Sequence, residues 1–142
     1  MCSFEKTEEE GLKYLLDTNV WLWSLFEPER MSRNARQLFA DFSQEIFLSA
    51  ATSWEVTIKV GTGKLTLPEQ PATYVPRRMA DQGLRPLPIS HPHALGVFSL
   101  PDYHRDPFDR LLVAQARLES MVLVTADRVI EKYQVDILWA GR

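Results

Sequence analysis

Cysteine is almost absent: the 142 residues contain one, Cys2. A single thiol excludes any disulfide within the chain and fits a reducing compartment. Long apolar runs are also lacking. Stretches such as residues 20–26 are far too short to cross a bilayer core of about 30 Å. The N-terminal MCSFEKTEEEG is acidic where a signal peptide would be basic, so the expected setting is the cytoplasm, with no membrane contact. There is no internal repeat and no low-complexity tract. A strong basic surplus is missing too. The net charge is −3, and residues 1–11 account for all of it, with Glu5, Glu8, Glu9 and Glu10 against Lys6. Residues 12–142 carry 15 basic and 15 acidic side chains, which excludes a strongly basic nucleic-acid binder. It does not exclude one whose acidic groups are gathered in a single metal site.

What remains is ordinary globular material, 45% hydrophobic and 25% charged. A chain of this length makes one domain and buries a core without help from metal or disulfide. Residues 1–12 read as a mobile acidic tail and residues 13–142 as the folded unit.

Along that unit, strands and helices alternate. Lys13–Leu16 is a short strand ending at Asp17, followed by an apolar, helical stretch over residues 20–26. Ser32 caps a helix over residues 33–42, with Ala35, Leu38, Phe39 and Phe42 on one face. Residues 46–49 form the next strand. Over residues 53–60, Trp54, Val56, Ile58 and Val60 alternate with polar residues, which predicts a strand, although i,i+4 pairs within it also allow a helix. Pro68 and Pro71 frame a loop, and residues 74–82 form a helix stopped by Gly83. Residues 87–89 form an edge strand beside Pro86 and Pro88. Residues 91–100 and 108–120 are helical, the second largely buried. Residues 121–124 are wholly apolar, the pattern of a buried parallel strand. A last helix over residues 128–133 and a strand over 136–139 complete the chain. The fold class is therefore α/β, a single domain with a parallel sheet of about four to five short strands and helices on both faces.

In such sheets the functional crevice lies beyond the strand C-termini. Asp17, Glu55 and Asp127 fall at or just after such ends. Asp109 opens a helix leading into a strand and reaches the same edge if the chain turns back to it. Each has an ordinary structural reading as well. Asp17, Asp106 and Asp127 suit helix caps, and Glu55 suits a solvated face or an ion pair with Lys59. Taken together, carboxylates converging on one crevice repel unless they share cations, and an all-oxygen set selects hard ions such as Mg²⁺ or Mn²⁺.

Four segments in order carry a family resemblance. They are Leu15-Leu16-Asp17-Thr18-Asn19, Ser53-Trp54-Glu55, Asp106-Pro107-Phe108-Asp109-Arg110-Leu111-Leu112-Val113-Ala114-Gln115-Ala116, and Val124-Thr125-Ala126-Asp127. Together they resemble the PIN domain, and within it the VapC-type toxins of bacterial toxin–antitoxin pairs. The resemblance spans roughly residues 13–139. It implies that Asp17, Glu55, Asp109 and Asp127 are the metal-binding and catalytic acids, with Asn19 and Thr125 as supporting polar residues. It also implies that Glu55 lies on a helix, against the alternation. Asp106 keeps its capping role, and Arg110 is the expected ion-pair partner of the site. The implied activity is hydrolysis of RNA phosphodiesters by water activated on Mg²⁺ or Mn²⁺. The implied partners are RNA, a cognate antitoxin and a second copy of the chain.

Other features are weaker. Eleven of the 16 basic residues are Arg, and Arg77, Arg78, Arg85, Arg105 and Arg110 are candidates for an RNA path, with solvated surface or carboxylate pairing as the alternative. His91 and His93 lack a third ligand nearby and read as helix-start residues. His104 is a lesser candidate for substrate contact. Residues 21–26 suit either the core or a partner surface. Two other functions compete. One is a catalytically idle module of the same fold that binds RNA or protein, which the intact acids disfavour. The other is a different α/β phosphohydrolase. A HAD-like enzyme needs a second Asp two residues after the first, and Asn19 stands there instead.

Overall fold

A computed structural model describes residues 11–142. Of the expected acidic tail, residues 1–10 lie outside the described residues, while Leu12 packs against the core. The elements in chain order are β1 (Lys13–Leu16), α1 (Thr18–Phe26), α2 (Arg33–Ala40), β2 (Glu45–Ser49), α3 (Ala50–Gly61), α4 (Pro71–Gln82), β3 (Arg85–Leu87), α5 (His91–Gly96), α6 (Pro107–Leu118), β4 (Val122–Thr125) and β5 (Ile137–Trp139). The five strands form one sheet in the order β3-β2-β1-β4-β5, and all neighbours are parallel. β3 is an edge strand as expected, but it contains Pro86 and lies two residues earlier than the expected 87–89. Among the described residues no helix is long and apolar enough to cross a membrane.

The pleat divides the core between the two faces of the sheet. Tyr14, Leu16 and Val124 face one cluster with Val20, Trp21, Leu38 and Val56. Leu15 and Leu123 face the other, with Leu112, Val113 and Ile130. Helices therefore cover both faces.

Two expected elements are corrected. Residues 53–60 belong to α3, not to a strand. Ser49 caps that helix by accepting from the Ala51 N–H at 2.9 Å. The positions it buries are Ala51, Thr52, Glu55 and Val56, a helical spacing, while Trp54 and Ile58 are exposed. Of the alternating apolar residues, Val56 is buried and Val60 packs against the core, but Trp54 and Ile58 face solvent, so the period of two does not match burial. Residues 128–133 do not form a regular helix; they contain only a single 3₁₀ turn, Ile130–Lys132. In addition, Pro71 opens α4 rather than framing the preceding loop.

The topology explains where the acids fall. β1, β2 and β4 all point to one edge, which α1 and α3 leave and to which the start of α6 returns before β4. Residues just after β1 and β4, and in the first turns of α3 and α6, therefore share that edge.

Candidate metal centre

Asp17 follows β1 and is 3% exposed. Its Oδ1 accepts from the Asn19 N–H at 3.3 Å, capping α1, and its Oδ2 accepts from Thr125 Oγ1 at 2.7 Å. The same Thr125 oxygen accepts the Asp127 N–H at 3.1 Å, so one hydroxyl at the end of β4 sets both acids. Glu55 is held near them because the starts of α1 and α3 are joined by Thr18 Oγ1 and Thr52 Oγ1, 2.9 Å apart and buried. Lys59 Nζ lies 3.1 Å from Glu55 Oε2. Glu55 Oε1 is buried and has no hydrogen-bond partner among the described residues.

Asp109 stands in the first turn of α6. Asp106 caps that helix, its Oδ1 accepting from the N–H groups of Phe108 at 2.8 Å and Asp109 at 3.3 Å. Replacing Asp106 by Ala is expected to cost about 0.5–2 kcal/mol of stability, with only a modest fall in activity per folded molecule. Thermal melts and cleavage assays on equal folded concentrations check it; a stable but inactive variant would move Asp106 into the site itself.

His104, a lesser candidate in the sequence, lies directly between two of the acids. Its Nδ1 accepts the Asp106 N–H at 3.2 Å, so the neutral ring carries its proton on Nε2. Nε2 lies 2.8 Å from Asp127 Oδ2 and 3.1 Å from Asp109 Oδ2. One ligand atom from each of His104, Asp109 and Asp127 falls within 4.8 Å of the others. Asp17 and Glu55 stand outside this group of three. The only hint in the sequence was its place two residues before the cap.

Arg110 differs from expectation. It makes no ion pair with the four acids. Its guanidinium donates to the carbonyls of Pro101 at 3.0 Å, Val97 at 3.2 Å and His104 at 3.4 Å, and its nearest carboxylate is the exposed Asp102 at 3.7 Å. Neighbours in a helix project about 100° apart, so Arg110 cannot follow Asp109 toward the crevice. It braces the loop that carries His104. Of the other arginines considered, Arg77, Arg78 and Arg85 are paired with Glu69, Asp81 and Glu45. His93 completes a capping box with Ser90 at the start of α5, as its helix-start reading implied.

The electrostatics report crowding. Burial pushes the Asp17 carboxyl up, and Asp127 and Glu55 add to it against the lowering bonds from Thr125 and Asn19. Burial, followed by the charges of Asp17 and Asp106, pushes Asp109 up to about 8, although His104 opposes the rise. Burial disfavours charge on His104, but the bond to Asp127 and the charges of Asp109, Asp127 and Asp106 outweigh it and raise its pKa. Buried acids that resist ionisation, beside a buried carboxylate oxygen without a donor, are the condition a bound cation relieves. The donor set fits a metal ion.

The chain matches the PIN domain family over residues 14–135. It is 45% identical over 58 residues to ribonuclease VapC16 of Mycobacterium tuberculosis (strain ATCC 25618 / H37Rv), a match spanning 41% of each protein. The fold is similar to the crystal structure of VapBC2 from Rickettsia felis bound to a promoter DNA fragment, with a TM-score of 0.70 and 17% identity over 92% of this chain and 100% of that one. It is also similar to DNA-bound VapBC from Salmonella typhimurium, with a TM-score of 0.67 and 21% identity over 89% of this chain and 97% of that one.

Proposed function

The chain belongs to the PIN domain family, and from that premise we propose that it is a metal-dependent endoribonuclease, the toxin of a toxin–antitoxin pair. The observation that supports this most is that Asp17, Glu55, Asp109 and Asp127, drawn from four elements, come to one sheet edge, where burial and the neighbouring acids raise the proton affinity of Asp17 and Asp109. These four would hold Mg²⁺ or Mn²⁺, since an oxygen set suits hard ions. The ion would supply Lewis acidity toward the phosphodiester and an activated water.

The protein's own residues do the remaining work. Thr125 fixes the rotamer of Asp17 and the backbone of Asp127. His104 donates from Nε2 to Asp109 and Asp127 and holds these two acids together. Arg110 and the Asp106 cap fix the loop and helix from which His104 and Asp109 project. Among the described residues no cysteine is present, and no side-chain nucleophile is required.

Purified protein should cut single-stranded RNA with Mg²⁺ or Mn²⁺ and stop when EDTA is added. Equal cleavage in EDTA, or metal-dependent release of phosphate from a small monoester with RNA left intact, would overturn the reading. RNA bound but never cut would favour the idle binding module. The partner proposed with this function is an antitoxin presenting Arg or Lys toward Asp17 and Asp127, because an acidic crevice attracts a cationic plug. A homodimer and a cytoplasmic setting complete the proposal.

A further inference from the structure

Beside the acids lies a cleft of about 270 Å³, lined by Asp17, Asn19, Trp23, Ala126, Asp127 and Arg128. Two of these residues belong to the acidic cluster. Trp23 and Arg128 offer a cation no ligand, and Asn19 supports the acids through its backbone N–H, which leaves its side chain unused. Asn19 and Trp23 are four residues apart on α1 and so project from the same side of it. Asn19 is exposed, and among the described residues its side-chain amide makes no hydrogen bond. It offers a donor and an acceptor on one planar group. Trp23 is half-buried, and the Arg30 guanidinium sits over its ring at 4.6 Å from the centroid. Arg30 on one face and the core contacts hold the indole in place where it lines the cleft.

Arg128 is the more telling residue. It directly follows Asp127, yet among the described residues it pairs with none of the four acids. Its guanidinium lies over the Trp139 ring at 4.2 Å, and its Nη1 is 3.3 Å from Glu131 Oε1. The Glu131 pair is solvent-exposed and worth little, so at the rim of the crevice the guanidinium can exchange it for a phosphate while Trp139 keeps it from collapsing onto the acids. The cleft is smaller than the roughly 300–1,000 Å³ of drug-sized pockets. An immobilised indole, an amide with no side-chain partner and an exposed guanidinium are groups that can receive a base, its edge and a phosphate.

We propose that this cleft is the subsite for one unpaired nucleotide next to the scissile phosphate, with its base against Trp23, its edge met by Asn19 and its outer phosphate met by Arg128. The inference rests on the ribonuclease reading above and deepens it. It makes the enzyme selective for single-stranded RNA, since a paired base cannot leave its stack to enter. It also places part of the sequence preference on α1, outside the acids.

The full-length protein is titrated with a fluorescein-labelled single-stranded RNA in Ca²⁺, the RNA being checked for integrity on a gel, and binding is read by anisotropy. Trp23→Ala is expected to weaken binding by about 5- to 150-fold, and Trp23→Phe by less, because a ring remains. Because Trp23 also packs against the core, melts accompany each variant, and Arg128→Gln, an exposed change, gives a second reading. It should weaken binding and lower the slope of log affinity against log salt by about 0.7. The decisive step replaces each nucleotide in turn by an abasic ribose. One position should weaken binding to the wild type and have no further effect in Trp23→Ala. If wild type cuts RNA in Mn²⁺ but no abasic position couples to Trp23, the subsite is wrong and the nuclease reading stands. An unchanged salt slope in Arg128→Gln removes the phosphate contact and overturns the proposal as stated. If wild type neither binds nor cuts RNA, the underlying reading fails first.

Discussion

Replacing Asp109 by Asn is expected to abolish cation-dependent RNA cleavage while leaving the metal-free protein as stable as before, or more so. The sign follows from the site. Burial and the charges of Asp17 and Asp106 already hold the Asp109 carboxyl at a pKa of about 8, so in the fold its ionised form is disfavoured. An amide of the same shape cannot ionise, so it never meets that repulsion, and its oxygen still accepts the proton that His104 Nε2 directs toward it from 3.1 Å. A cation loses a charged ligand by the same change. Residues that merely support metal ligands cost about 10- to 100-fold in affinity or activity when altered, so loss of a ligand should exceed about 100-fold. Melts in EDTA and the melting shift on adding Mn²⁺ separate the two effects. The variant should melt in EDTA at or above the wild-type temperature and show little shift with Mn²⁺. If it melts early and still cuts RNA, Asp109 serves only the helix start, and the proposed ligand set is wrong there.

The contrast with Asp106 shows how far the sequence could be read. Both acids lie within four residues of one another, and their offset of three gave the cap to Asp106, which the hydrogen bonds to Phe108 and Asp109 bear out. Asp17 and Asp127 were legible because one directly follows an apolar strand and the other stands two residues beyond one. The helix that carries Glu55 was not, because the stripe that α3 buries mixes Ala51 and Val56 with polar Thr52 and Glu55 and so shows no clear apolar period. Exposed Trp54 and Ile58 supplied a false period of two; Trp54 instead meets the Phe108 ring edge-on, with centroids 5.1 Å apart. Packing against the sheet, with the Ser49 cap, overrides the strand preference of Val56, Thr57 and Ile58. His104 was undervalued for another reason. Its partners lie 5 and 23 positions away, and only the loop braced by Arg110 brings its ring to both. Arg110 shows the converse error, because adjacency to Asp109 in sequence does not mean a shared direction on a helix.

Metal binding should release protons and strengthen as pH rises toward 8. Asp109 moves from an ordinary value of 3.8 to about 8 in the metal-free fold. Between those values the folded protein holds a proton that the unfolded chain has lost, so stability in EDTA should fall as pH rises through that window. A cation requires the ionised carboxylate, so it must displace that proton. Each pH unit below about 8 then weakens Mn²⁺ affinity by up to about tenfold, and pH 6 should be roughly 100-fold poorer than the high-pH limit. His104 acts in the same direction. Its pKa is raised by Asp127, Asp109 and Asp106 despite its burial, and while charged it repels the ion that those acids attract. Calorimetric titration with Mn²⁺ between pH 6 and 8.5, in buffers of different ionisation enthalpy, counts the protons directly. Asp109→Asn should flatten what residual dependence remains, and His104→Gln should narrow the window in the wild-type background. A Mn²⁺ affinity that stays level from pH 6 to 8 would mean that Asp109 is already ionised without metal, and the crowding of these acids could not be what draws a cation to this edge.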